Sequence, residues 1–483
     1  MKHISSFVLA LLLLANICAC QGETPETDIE STTGTDTTLP EETTAEELSL
    51  DLPEANFDGY TVTYLTCDGY CEHFKLNIDE ETGDTLNDAG YKRERAVGDL
   101  LNVEFDAVEV DTGEVASSLS ASVMAGSGDY DFVLPHATTG ISAMVTSGSL
   151  LDWNTLEYVD FTKPWWNSTM QESLGIAGKV FYASGDIVMT WQGMGCYLFN
   201  KDYLENYNID TNMYDLVYEG KWTVDKLLEL IKGVSQDLNG DSQMTEVDQY
   251  GLLANKGQTV WFQFGCGQHI SKLDENNCPV LDMGGERMAS VVEKYYNVLY
   301  SDDTYLNSFS SYDYATGTYR DMLISGRSFL TIYDIGGLYS YLREIEFDFG
   351  ILPDPKLDEA QEDYYSFCGA GLIGIPVDTE NPERTVMVAE ALAYYSYEYV
   401  RPAFFDVVLQ NKAVRDEDSY NMLTMMHENK VFDFGFNFDG TASGALNSVV
   451  VGRKSTDFAS YYASIEDRVN ETFRQIYETV SNQ

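Results

Sequence analysis

Oxygen-bearing side chains recur at a metal-like spacing in Asp237-Leu-Asn239-Gly-Asp241-Ser-Gln243-Met-Thr245-Glu-Val-Asp248. They fall at positions 1, 3, 5, 7, 9 and 12 of the stretch. That is the spacing of an EF-hand or dockerin-type loop, in which a tight turn wraps oxygens round calcium. Ser242 stands where such loops carry glycine at position 6, and Asp248 where they carry the longer glutamate at position 12. The expectation is a structural calcium ion on Asp237, Asn239, Asp241, Gln243 and Asp248, and the competing reading is an empty acidic turn. A second chemistry comes from aromatic rings, 13% of the chain with 33 Tyr, more than an ordinary core requires. Their flat faces can stack on the apolar faces of pyranose rings while the Tyr hydroxyl takes a hydrogen bond. With 79 Asp and Glu available, an exported glycoside hydrolase using two carboxylates about a scissile bond remains the rival reading from another class. No G-x-S-x-G or H-E-x-x-H phrase accompanies those carboxylates.

The elements that must position these groups follow an α/β grammar. Asp58-Gly59 turns into the β-branched, aromatic run Tyr60 to Leu65, a first strand. A helix is expected from near Asn87 to Leu100, a strand over Val103 to Val110, a helix over Val115 to Ala125 closed by Gly126, and a strand at Asp131 to Leu134. The β-α-β-α-β order argues for a largely parallel sheet, and ligands of such sheets sit beyond the carboxyl ends of the strands. Asp131 reads as a structural carboxylate at a strand end. Further on, Thr223 caps a helix with Leu227, Leu228 and Ile231 on one face, and Trp222 before the cap reads as a structural staple. A helix from Glu286 to Tyr300 follows, then strands at Phe329 to Tyr333, Phe347 to Leu352 and Leu372 to Ile375. Asn381-Pro382-Glu383 opens a helix running to Glu398, and Asp457 to Val480 reads as a last helical pair.

At 483 residues and 44% hydrophobic, the chain can bury a full core. A formal charge of -51 argues against nucleic acid and against docking on anionic lipid by charge. Met1-Lys2-His3 and the apolar run Phe7 to Ala15 read as a secretory signal peptide, too short to span a bilayer. Ile17-Cys18-Ala19-Cys20 resembles the lipobox of bacterial lipoproteins, which would make residues 1–19 the signal and Cys20 the lipidated anchor on the extracellular face of the cell membrane. From Gln21 to Ala55 there are eleven Asp or Glu, nine Thr and no Lys or Arg, so residues 20–54 read as a disordered acidic tether. Among the remaining cysteines no spacing forms a metal knuckle; Cys67 and Cys71 lie close in sequence, and Cys266 and Cys278 could face across a hairpin.

Behind that leader, Leu151-Asp-Trp153, Lys163-Pro164-Trp165-Trp166, Phe199-Asn200-Lys201, Gly220-Lys221-Trp222-Thr223, Tyr250-Gly251, Gly326-Arg327 and Leu352-Pro353 occur in order. In this order the chain resembles the family 1 extracellular solute-binding proteins, relatives of the maltose-binding protein, over roughly Tyr60 to Asn470. The resemblance implies a two-lobed α/β fold of the periplasmic-binding-protein type II class, with discontinuous lobes joined by a hinge. The first lobe would hold about 55–185 and 329–400, the second about 195–325 and 401–483. It further implies a monomeric, non-enzymatic receptor that closes on a small solute, a sugar or oligosaccharide, and presents it to ABC permease subunits. A surface glycan-binding lipoprotein without a permease is the remaining alternative. By the same resemblance the loop bearing His136, Thr138 and Thr139 contacts sugar hydroxyls. Trp165, Trp166, Trp191, Trp261 and Tyr333, with Asp334 beside the last, fall near the hinge or cleft. Pro164 holds the Trp165-Trp166 pair on a rigid turn, so at least one ring of that pair is expected to face the cleft or the hinge.

Overall fold

The computed structural model describes residues 48–67, 77–307, 317–341, 344–369, 371–410 and 417–483. The expected signal peptide, the lipidated Cys20, most of the tether and Cys71 lie outside the described residues. Local chemistry sets the first elements. The Asp84 carboxylate accepts from the Leu86 and Asn87 amides at 3.1 and 3.2 Å and starts the helix Thr85–Leu101, which Asn102 ends in the left-handed region at φ 54°. Gly126, at φ 61°, closes Val115–Ala125 as expected. A left-handed C-terminal residue of this kind is what lets a helix turn into the next strand.

Around these helices the strand Tyr60–Cys67 pairs in parallel with Val103–Val110 on one side and Phe132–Leu134 on the other. Asp131 sits just ahead of the last strand and is buried. It accepts from the Thr63 amide at 3.0 Å and from Tyr60, Thr385 and Arg384, so it ties the strand to the helix Pro382–Tyr395. That helix is opened by the Asn381 side chain on the Arg384 amide and by Pro382 in its first turn.

The second sheet has five strands in the order Phe349–Leu352, Gly195–Asn200, Ser328–Asp334, Tyr250–Asn255, Thr304–Asn307. The last three run parallel, while Gly195–Asn200 is antiparallel to both of its neighbours. Each sheet with its helices is one lobe of a two-lobed α/β fold. The chain passes between lobes along 184–194 and returns along 366–372. Those passages touch at the Ala183↔Ile373 and Met194↔Cys368 bridges and through the Ser184 hydroxyl on Gly371 O at 3.0 Å.

Three expectations change. Residues 329–352 were placed in the first lobe but pair in the second sheet; an apolar strand read alone does not say which sheet will take its backbone bonds. Arg401–Gln410 was placed in the second lobe yet packs on the first-lobe helix Thr85–Leu101. The expected terminal pair is one 24-residue helix, Phe458–Ser481, because no glycine or proline interrupts its apolar stripe. Trp222, by contrast, is fully buried with its indole on Pro353 O at 2.9 Å, the structural role expected of it. Cys67 is disulfide-bonded, whereas Cys196, Cys266, Cys278 and Cys368 are free.

Candidate functional site

Two strand edges carry the groups that could meet a ligand. In the first sheet, Phe132–Leu134 runs out into Pro135 and the loop of His136, Thr138 and Thr139. The imidazole Nδ1 lies 3.1 Å from Thr138 Oγ1 and 3.5 Å from Thr139 Oγ1, so the three polar side chains form one cluster. Burial holds the His136 imidazole below its usual range and therefore neutral, while Thr138 is exposed. The loop is steadied from the other lobe: Asn437 Nδ2 donates to Ala137 O at 2.7 Å.

In the second sheet the parallel strands bring Asn255, Asn307 and Asp334 to one carboxyl edge, and antiparallel Gly195 starts there opposite Asp334. Trp261, on the helix Thr259–Gly265, lies against that edge. A Cβ added at Gly195 would come within 2.8 Å of the indole, so only glycine lets the ring rest on the strand backbone. Asp334 is half-buried and accepts from the Gly337 amide at 2.6 Å, yet burial pushes its carboxyl up to about 6. Asn255 Nδ2 is buried with no partner among the described residues. The arrangement offers one apolar ring face, hydroxyls, a neutral imidazole and a carboxyl, which suits a neutral polyhydroxylated ligand.

The other aromatic candidates are elsewhere. Trp165 and Trp166 are 1% and 5% exposed, and both indoles donate to one carboxylate, Glu390, at 2.9 and 2.7 Å. Neither ring is open to the cleft, because a shared buried acceptor lets both enter the first-lobe core; the backbone of the pair does meet the passage between lobes, where Trp166 bridges Gly185 and Trp165 O accepts from the Asp186 amide at 2.9 Å. Trp165 meets Tyr394 edge-on, and Trp166 meets Trp153 and Phe161 in the same way. Trp191 is fully buried, 4.0 Å from the Phe404 ring, with its indole on Asp186 at 3.2 Å. Tyr333 is fully buried against Tyr319. None of these four presents a face for stacking.

The acidic loop is closed by its own backbone. Asp237 accepts from the Gly240 and Ser242 amides at 2.7 Å each, Asn239 from Asp241, Asp241 from Gln243, and Asp248 from Leu238 and Thr245. Ser242 takes φ 65°, the left-handed turn that glycine makes in calcium loops. Among the described residues, no three His, Cys, Asp or Glu side chains gather as a metal would require. A cavity of about 170 Å³ opens between Glu172–Ser173 of the first lobe and His269, Lys272, Phe432 and Phe434, and it is lined by no expected site residue.

Sequence reasoning missed Glu390, Asn437 and Gly195. Their roles depend on partners more than 60 residues away, and no local pattern announces that.

No family model matches the chain, and a search of curated proteins finds no match. Solved structures do share its architecture. The ABC substrate-binding protein Lmo0181 from Listeria monocytogenes, in complex with cycloalternan, is 14% identical over 86% of this chain and 100% of that one, with a TM-score of 0.55. This is the fold of the ABC-transporter solute-binding proteins. The GacH receptor of Streptomyces glaucescens shares that solute-binding fold at 13% identity, 87% and 99% coverage and a TM-score of 0.56, and so does the maltotriose-binding protein of Thermus thermophilus at 15%, 87%, 100% and 0.51.

Proposed function

We propose that the chain is an extracellular solute-binding protein, held at the membrane through a lipidated Cys20, that captures a sugar or oligosaccharide between its lobes and delivers it to an ABC permease. The observation that carries this reading is Trp261. Alone among the five candidate rings it is only half-buried, and it lies on Gly195 beside Asp334 at the carboxyl edge of a parallel set of strands. Ligands of open α/β sheets bind beyond such edges, and a partly open ring flanked by polar groups is what a sugar face uses. Structures of the same fold carry cycloalternan, acarbose and maltotriose, which supports carbohydrate as the ligand class. Structural calcium at Asp237–Asp248 belongs to the same proposal, since each carboxylate oxygen of Asp237 and Asp241 accepts a single hydrogen bond and keeps a second lone pair.

A panel of oligosaccharides, sugar alcohols, amino acids and peptides, followed by both melting temperature and product chromatography, tests it. A saturable rise in melting temperature with a carbohydrate and no product is expected. Turnover of any glycan would replace the receptor by a glycoside hydrolase, and a response to peptides alone would remove carbohydrate.

A further inference from the structure

The helix Phe458–Ser481 is seated on one lobe and ends on the other. Along its length it belongs to the second lobe: Asn470 Oδ1 accepts from the Leu281 amide at 2.8 Å, Tyr477 donates to Asn276 O at 3.2 Å, and Phe473 meets Phe434 edge-on. At its last turn the partners change. Lys179 Nζ donates to Val480 O at 3.1 Å, and Gln483 Nε2 donates to Val145 O at 3.1 Å and Thr146 O at 3.3 Å. Lys179 and Val145 lie in the first lobe, between the strand Phe132–Leu134 and the passage at 184–194. Val480 itself is fully buried.

These ties have a physical logic. The last carbonyls of a helix carry partial negative charge, so an ammonium supplied from the other lobe is well placed on Val480 O, which also accepts from the Gln483 amide at 3.2 Å. A second tie lies nearer the candidate site, where Asn437 of the second lobe donates to Ala137 O beside His136. None of these contacts is on the described passages at 184–194 and 366–372, so rotation of one lobe away from the other must break them.

We infer that Lys179 on the helix end and Asn437 on Ala137 form a latch that holds the lobes in this arrangement and sets how tightly ligand is retained. The affinity half of this statement rests on the proposed receptor function; the lobe-closure half does not. Each side-chain hydrogen bond is worth roughly two- to tenfold in an equilibrium, so losing both ties should shift the open-closed balance by roughly tenfold or more.

Small-angle scattering of the full mature chain without ligand tests it, comparing the parent with Lys179→Met, Asn437→Ala and the double variant. The double variant should show a larger radius of gyration and bind the best carbohydrate of the panel roughly tenfold more weakly, whereas Lys179→Arg should match the parent. A folded double variant with the parent's radius overturns the latch. A larger radius in a protein that binds no carbohydrate would keep the latch and discard the receptor reading. If the double variant does not fold, amide exchange in Lys179→Met decides: faster exchange confined to the last turn of the helix and to Val145–Thr146 supports the latch, and unchanged exchange there overturns it.

Discussion

Replacing Glu390 by Gln probes how the first lobe buries two adjacent tryptophans. Glu390 is 4% exposed and accepts both indoles, while burial pushes its carboxyl up to about 7. Because the folded value lies above the ordinary 4.5, the folded protein holds a proton there that the unfolded chain releases. The contribution to stability is complete below about pH 4.5 and is lost as pH rises through about 7. The change across that window is about 3 kcal/mol. Gln cannot ionise, so it removes this pH dependence; its amide nitrogen cannot accept, so one indole N–H loses its partner at a cost of about 1–3 kcal/mol. Urea unfolding of both proteins at intervals from pH 4.5 to 8, followed by circular dichroism, should find the variant less stable at the acid end. The difference should then shrink or reverse by pH 8. A stability difference that stays constant across this range would refute the reasoning, because Glu390 would then not be the titrating acceptor of the pair.

Asp354 is fully buried with neither oxygen partnered among the described residues, and burial pushes it up to about 7; Asp354→Asn should raise the unfolding midpoint at pH 8 and leave it little changed at pH 4, and an equal shift at both would contradict this. Calcium should raise the melting temperature of the parent and not of Asp241→Ala, while identical melts of the exhaustively chelated and calcium-loaded parent would leave a loop closed by its own amides. Cys20→Ser should move the protein from the membrane fraction to the medium, and its retention in membranes would remove the anchor.

Elements governed by short-range chemistry were legible in the sequence. Gly126 stops a helix because only a residue at ease at positive φ can, and Thr223 starts one because its hydroxyl accepts from the Lys226 amide. The fold class was legible in the same way, from alternating helical and strand patterns. Sheet membership was not: Ser328–Asp334 is buried on both faces, so its sequence shows no alternation that marks one face, and it fits either lobe. The site was legible only in part for a related reason. Four of the five candidate rings are core residues; the indoles of Trp165 and Trp166 found a distant acceptor in Glu390, and that of Trp191 a nearer one in Asp186. Trp261 differs because Gly195, on another element 66 residues away, leaves room for its ring at a strand edge. A ring that stacks on a sugar and a ring that fills a core look alike until the opposing residue is known.

Calorimetric titration of the carbohydrate selected by the panel into the parent and into Trp261→Ala tests the receptor reading most directly. Saturable binding to the parent with no product, and affinity weaker by roughly five- to 150-fold in a variant with the parent's circular dichroism, is the predicted result; the factor corresponds to about 1–3 kcal/mol for one stacking ring. Equal affinity in the two proteins would place the ligand away from Trp261, and appearance of cleaved sugar in either cell would contradict a receptor altogether.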